Sequence, residues 1–194
     1  MGISLVKGQK ISLEKADGSA LSKIFLGAGW DVAKSGGFLG GLFGGNDSID
    51  LDASAILFDA DKRVVDTVWF AQLRSTDGSI QHSGDNLTGE GAGDDERIYV
   101  DLTQVPSQVQ SIVFTISSFR GQTFEKVSNA FCRLVDATNN NEIARYDLSS
   151  KGQYTALIMA RVYRHNGAWK MSALGEACHG KKIQEIIPSI LPIL

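Results

Sequence analysis

A chain of 194 residues, 43% hydrophobic and 21% charged, is long enough to bury one sizeable core and has the composition of an ordinary globular protein. Its net charge of −3 provides no polycationic field, so nucleic acid is excluded as the expected partner. No stretch has the apolar length of a signal peptide or a bilayer span, and Cys132 and Cys178 match no zinc or redox spacing. One domain over residues 1–194, in a reduced cytoplasmic compartment, is the expectation.

Along the chain, Ser35-Gly-Gly-Phe-Leu-Gly-Gly-Leu-Phe-Gly-Gly-Asn46 comes first: six glycines and four large apolar residues, neither a polar linker nor a phosphate loop. Most of the remainder reads as short strands. Ser54–Phe58 and Val64–Phe70 flank Asp59-Ala-Asp-Lys62 as a hairpin, and Thr76-Asp-Gly-Ser79 turns into Ile80–Ser83. Ile98, Val100 and Leu102 alternate with Tyr99 and Asp101, the pattern of a half-buried strand. Ser111–Ser117 and Ala130–Val135 read as buried strands, and Thr155–Arg164 and Trp169–Leu174 are joined by the hairpin signal Asn166-Gly167. Helical signal is confined to Thr123–Ser128, with Thr123 as its cap, and to the tail 181–194. There Ile183, Ile186, Ile187, Ile190 and Leu191 fall at helical spacing interrupted by Pro188 and Pro192. The fold expected is all-β, a sandwich of antiparallel sheets with a short helix and an appended amphipathic C-terminal helix.

Two acidic segments interrupt this pattern. Asp50-Leu-Asp-Ala-Ser54 puts two carboxylates on one face of an extended segment, with Leu51 and Ala53 toward the core. The stretch 84–96 carries Asp85, Glu90, Asp94, Asp95 and Glu96 among four glycines, with no base before Arg97. At about 5 Å and an effective dielectric of about 20, each like-charge pair costs about 3 kcal/mol, so a compact loop calls for a counter-ion. Asn86 and Thr88 add neutral oxygens, and an all-oxygen set suits Ca²⁺ better than zinc or copper. The spacing fits neither an EF-hand, because Leu87 and Glu90 stand where a ligand and a glycine are required, nor a dinucleotide fingerprint.

Gly29-Trp-Asp31, Asp50-Leu-Asp-Ala-Ser54, His82-Ser-Gly-Asp-Asn-Leu-Thr-Gly-Glu-Gly91 and Gly93-Asp-Asp-Glu96 resemble the signatures of the TerD family of tellurite-resistance and stress-response proteins. Arg120-Gly-Gln-Thr-Phe124, Asn129-Ala-Phe131, Ala144–Leu148 and Tyr163–Gly167 extend the resemblance over nearly the whole chain. It implies a β-sandwich that binds Ca²⁺ through its acidic loops in a bacterial cytoplasm, linked to resistance to tellurite, phage and colicins. The ligands it implies are Asp50, Asp52, Asp85, Asn86, Thr88, Glu90, Asp94, Asp95 and Glu96. Ser48 and Ala92 stand where the family often has Asp, which implies weaker or fewer ions.

The leading functional reading is therefore a non-enzymatic Ca²⁺-binding module whose ordered loops present a surface to other proteins of the same resistance system. The alternative is Ca²⁺-dependent binding to the inner-membrane surface through the loop 36–45, where Phe38, Leu39, Leu42 and Phe43 would insert while the ion bridges anionic head groups. A metal-assisted hydrolase ranks last, because no serine or cysteine sits in a nucleophile motif and His82, His165 and His179 lack metal or triad spacing. His82 is expected at a strand end and the other two in exposed turns.

Overall fold

A computed structural model describes residues 2–15, 17–32, 50–84, 93–148 and 152–194, apart from the side chains of Val32 and Lys126. Among these, twelve strands are placed: β1 (Ile3–Ser4), β2 (Lys10–Ser12), β3 (Lys23–Val32), β4 (Leu51–Phe58), β5 (Val64–Val68), β6 (Ile80–His82), β7 (Glu96–Asp101), β8 (Ser111–Ser118), β9 (Val127–Asp136), β10 (Asn141–Asp147), β11 (Ala156–His165) and β12 (Ala168–Cys178). One α-helix, α1 (Ile183–Ile190), closes the chain and runs into a 3₁₀ turn at Leu191–Ile193. The strands form two six-stranded sheets in the orders β1-β10-β9-β3-β7-β6 and β2-β12-β11-β8-β4-β5, antiparallel throughout except for the short β1–β10 pair.

The hydrophobic period of two builds the core between the sheets. From β4 come Leu51, Ala53, Ala55 and Leu57, from β7 Ile98 and Val100, and from β3 Ile24, Leu26, Ala28 and Trp30. β4 and β8 are buried at every residue, which simple alternation does not anticipate. The reason is α1. Its Ile183, Ile186 and Ile190 cover Ile56, Phe58, Val113, Ala156 and Ile158, so the second sheet has a core on both faces. Burying three isoleucines contributes about 5–9 kcal/mol before ordering costs.

The hairpins form as the turn residues dictate. Asn166 and Gly167 adopt φ of 51° and 78°, the left-handed pair that a two-residue hairpin between twisted strands requires. At the β4–β5 turn, Lys62 donates through Nζ to the Leu191 carbonyl (3.1 Å), placing a cation at the negative end of the C-terminal helix. Pro188 sits on the exposed side of α1, and the helix passes through it. The segment after Thr123 differs from expectation. It is a single 3₁₀ turn, Phe124–Lys126, and the Thr123 hydroxyl donates to Glu125 (3.3 Å) instead of capping the backbone.

Ile186 is fully buried beneath α1, so Ile186→Ala is expected to cost about 2–5 kcal/mol of stability in urea melts monitored by near-UV circular dichroism. Equal stability of variant and parent would show that the helix does not dock on the sandwich in solution.

Candidate functional site

Both acidic segments emerge from one end of the sandwich. β3 leaves at Val32 and the chain re-enters at Asp50–Leu51, while β6 leaves at His82 and the chain re-enters through Gly93–Glu96 into β7. The two re-entry points touch. β5 pairs with β4 only as far as Ala55, so the N–H and C=O of Ala53 face past the end of the ladder. Side chains take the place of the missing strand: Glu96 Oε2 accepts the Ala53 N–H at 2.7 Å, and His82 Nε2 lies 3.2 Å from the Ala53 carbonyl. Gly84 N–H donates to His82 Nδ1 (3.0 Å), which puts the ring proton on Nε2, shared between that carbonyl and Glu96 Oε2 at 3.2 Å. Neither side chain is exposed. Glu96 and His82 belong to the first sheet and Ala53 to the second, so this contact joins the two sheets beside Asp52.

The neighbouring carboxylates occupy three different environments. Asp94 is fully buried, with Oδ1 on Arg133 Nε (2.6 Å) and Oδ2 on Arg133 Nη2 (2.9 Å) and Arg97 Nε (2.8 Å). Arg97 and Arg133 stack over the Phe25 ring, with guanidinium carbons 5.4 and 5.9 Å from its centroid. Asp94 packs directly onto Gly27 of β3, where any Cβ would collide with its carboxylate. Gly29 likewise makes room for the Phe131 ring and the Gly93 carbonyl. Gly27 and Gly29 of β3 therefore serve as a seat for the end of the acidic loop.

Asp95 continues the β3–β7 ladder with its side chain. Its N–H donates to the Ala28 carbonyl (2.8 Å), and its Oδ2 accepts the Trp30 N–H (2.8 Å). Burial raises its pKa most, the Trp30 bond pulls in the other direction, and the negative charges of Asp31, Glu96 and Asp94 raise it further. Asp31 accepts from the Asn129 side chain at 2.7 Å. Asn129 holds a left-handed φ of 53° at the point where the β3–β9 register slips, a conformation that presents its amide to Asp31.

Asp50 and Asp52 are each only 5% exposed. Arg120 Nε lies 3.8 Å from Asp50. Asp85, Asn86, Thr88 and Glu90, together with Ser48, Ala92 and the loop 36–45, lie outside the described residues. Of the expected ligands that are described, Asp50, Asp52 and Asp95 sit near the loop exits. Asp94 is instead gripped by two guanidiniums, and Glu96 is enclosed in the seam between the sheets. Among the described residues no three His, Cys, Asp or Glu side chains converge as a metal cluster. The sequence reading missed Asp31 as a member of the acidic group, although Gly29-Trp-Asp31 is one of the motifs it singled out. It also missed Arg133, whose partner lies 39 residues away.

Both thiols are buried and unbridged, and burial pushes Cys132 up to about 12, so a thiolate is negligible at neutral pH. His165 and His179 are exposed, as expected. No helix among the described residues is long and apolar enough to cross a membrane.

A two-sheet β-sandwich with buried acidic groups at one loop-bearing end is the class of protein that these features define. The family model described as TerD domain matches residues 1–189, and the chain belongs to that family. It is 52% identical over 189 residues to tellurium resistance protein TerZ of Serratia marcescens, covering 97% of each chain. The glycine-rich insert and the isoleucine-rich tail point to that same branch of the family. It is also 41% identical to stress response protein SCP2 of Bacillus subtilis (strain 168), over 96% of this chain and 98% of that one. A crystal structure of a homologue of telluride resistance protein (TerD) from Streptomyces coelicolor A3(2) shares the fold, with a TM-score of 0.69 at 21% identity over 87% of this chain and 96% of that chain. The relatives' names describe resistance and stress response and indicate no catalytic activity.

Gly27→Ala drives a methyl group into a carboxylate held by two arginines. It is expected to cost about 1–3 kcal/mol in equilibrium unfolding. Unchanged stability of the variant would remove the seat assigned to Gly27.

Proposed function

We propose that this chain is a non-enzymatic Ca²⁺-binding module of a bacterial stress-resistance system, in which the ion orders the acidic segments and so presents a surface to partner proteins. The observation that carries this reading is the Ala53–Glu96–His82 contact, which brings the roots of two separate acidic segments to one end of the sandwich. There Asp95 is buried among Asp31, Asp94 and Glu96, and their mutual repulsion is what a divalent cation relieves. The donors are hard oxygens, the chemistry that Ca²⁺ takes in sets of six to eight. Asp50, Asp52, Asp95 and Asp31 would hold the ion, together with Asp85, Asn86, Thr88 and Glu90 of the intervening loop. Asp94 and Glu96 act from behind, the first anchoring the loop end to Arg97 and Arg133, the second tying it to β4. When bound, Ca²⁺ would supply charge neutralisation and order to the loop.

The test is titration calorimetry of Ca²⁺ into chelator-treated protein, with thermal melts alongside. Saturation at about 100 times Kd should add about 2.7 kcal/mol of stability, or roughly 5–10 °C for a chain of this size. Asp95→Asn keeps an acceptor for the Trp30 N–H while removing a charge. It should leave the metal-free protein at least as stable as the parent and weaken Ca²⁺ at least about tenfold. Ala92→Asp, which adds an acid to the loop, should tighten binding. Absence of both heat and a melting shift at millimolar Ca²⁺ would overturn the reading.

A further inference from the structure

The outer face of the second sheet holds a cavity of about 340 Å³ where the start of α1 crosses the ends of β4 and β8. Its lining is unlike the rest of that face. Where α1 packs farther along, the sheet presents Ile56, Phe58 and Val113; under the cavity it presents Asp52, Ser54 and Ser117. All three are at least 95% buried. Behind them Thr115, the cross-strand neighbour of Ser54, has a buried Oγ1 with no partner among the described residues. Buried hydroxyls are ordinarily satisfied, so an open one behind a polar cavity floor marks a place for a polar group from outside.

The walls define that group. Trp69, Phe70 and Phe119 form one side, their rings locked edge to face at centroid distances of 4.6 and 5.4 Å. Phe119 is 49% exposed, at the rim of the cavity. Aromatic rings and a buried carboxylate flanked by hydroxyls in one cavity suit an organic ammonium. Its N–H groups reach Asp52, Ser54 and Ser117, while the ring quadrupoles stabilise its charge. Lys181 and Lys182 stand at the mouth, exposed and cationic. They would repel a simple polyamine and favour a ligand with an anionic group at its outer end.

We infer that this cavity is a binding site for a small zwitterion, an amine with a phosphate or carboxylate a few bonds away, entering ammonium first. The inference does not require that Ca²⁺ binds, although Asp52 belongs to both sets of residues, so Ca²⁺ on Asp52 would compete with the ammonium.

Phosphoethanolamine is the probe, titrated by ligand-observed NMR into protein in chelator and again in Ca²⁺. Ethanolamine, inorganic phosphate and vesicles with and without a phosphoethanolamine headgroup run in parallel. Saturable binding of phosphoethanolamine, stronger than of either half alone, is expected. Phe119→Ala and Asp52→Asn should each weaken it at least about tenfold. Lys181→Ala with Lys182→Ala should weaken phosphoethanolamine but not ethanolamine. Co-sedimentation with headgroup-bearing vesicles assigns the ligand to a lipid, and binding of the free molecule alone assigns it to a solute. Asp95→Asn, outside the cavity, should lose Ca²⁺ and keep the zwitterion, while Phe119→Ala should do the reverse, so the two readings fail separately. No binding at millimolar probe, or binding indifferent to both Phe119→Ala and Asp52→Asn, overturns the inference.

Discussion

The two backbone groups of Ala53 set the constraint on which this end of the molecule depends. A strand that outruns its neighbour leaves an N–H and a C=O without ladder partners, and inside a sandwich each costs about 1–3 kcal/mol if left unmade. Here one carboxylate and one imidazole supply the acceptor and the donor that a longer β5 would have supplied. Because both come from the opposite sheet, satisfying β4 also fixes β6 and β7 against it. The start of β7 is the end of the acidic loop, and the start of β4 carries Asp50 and Asp52. One local hydrogen-bonding requirement thus brings the roots of the two acidic segments to the same end of the sandwich.

The end of the loop is held by a second arrangement of the same kind. Asp94 and Asp95 are adjacent carboxylates with opposite environments. Asp94 turns onto the outer face of the first sheet, where Gly27 leaves space and Arg97 and Arg133 neutralise it. Asp95 turns toward Trp30 and the other acids, where burial raises its pKa. Removing one arginine leaves the other on the Asp94 carboxylate, whereas removing both would strand a buried charge without a cation. One acid is neutralised by arginines, and its neighbour sits among like charges with a raised pKa.

Much of the scaffold was legible in the sequence because it rests on local rules. The alternation of Ile98, Val100 and Leu102, the Asn166-Gly167 turn and the isoleucine spacing of the tail are each decided within about ten residues. The motifs of the TerD family carried the fold as a whole. The site was less legible. In the sequence Glu96 reads as one more Ca²⁺ ligand in a run of acids, and nothing near it announces that its carboxylate will replace a strand for Ala53, 43 residues away. Arg133 carried no signal either, since only the β3–β9 register brings it to Asp94. Gly29 was visible in a motif and Gly27 was not, and the purpose of Gly27, space for a carboxylate, is a property of the packing.

The appended helix shows the same limit on the other side of the molecule. Its apolar stripe predicted burial, and the structure supplies the surface it covers: Ile56, Phe58, Val113 and Ile158 match it residue for residue in chemistry. Toward the start of the helix that match stops, and Asp52, Ser54 and Ser117 replace aliphatic side chains under the same roof. If the helix served only to seal the sheet, branched aliphatic residues there would be more stabilising, at about 25 cal/mol per Å² of apolar area removed from water. Polar residues in those places lower stability, a loss that sealing alone does not explain. The polar floor and the aromatic wall beside it therefore belong together, as two parts of one recognition surface that α1 encloses.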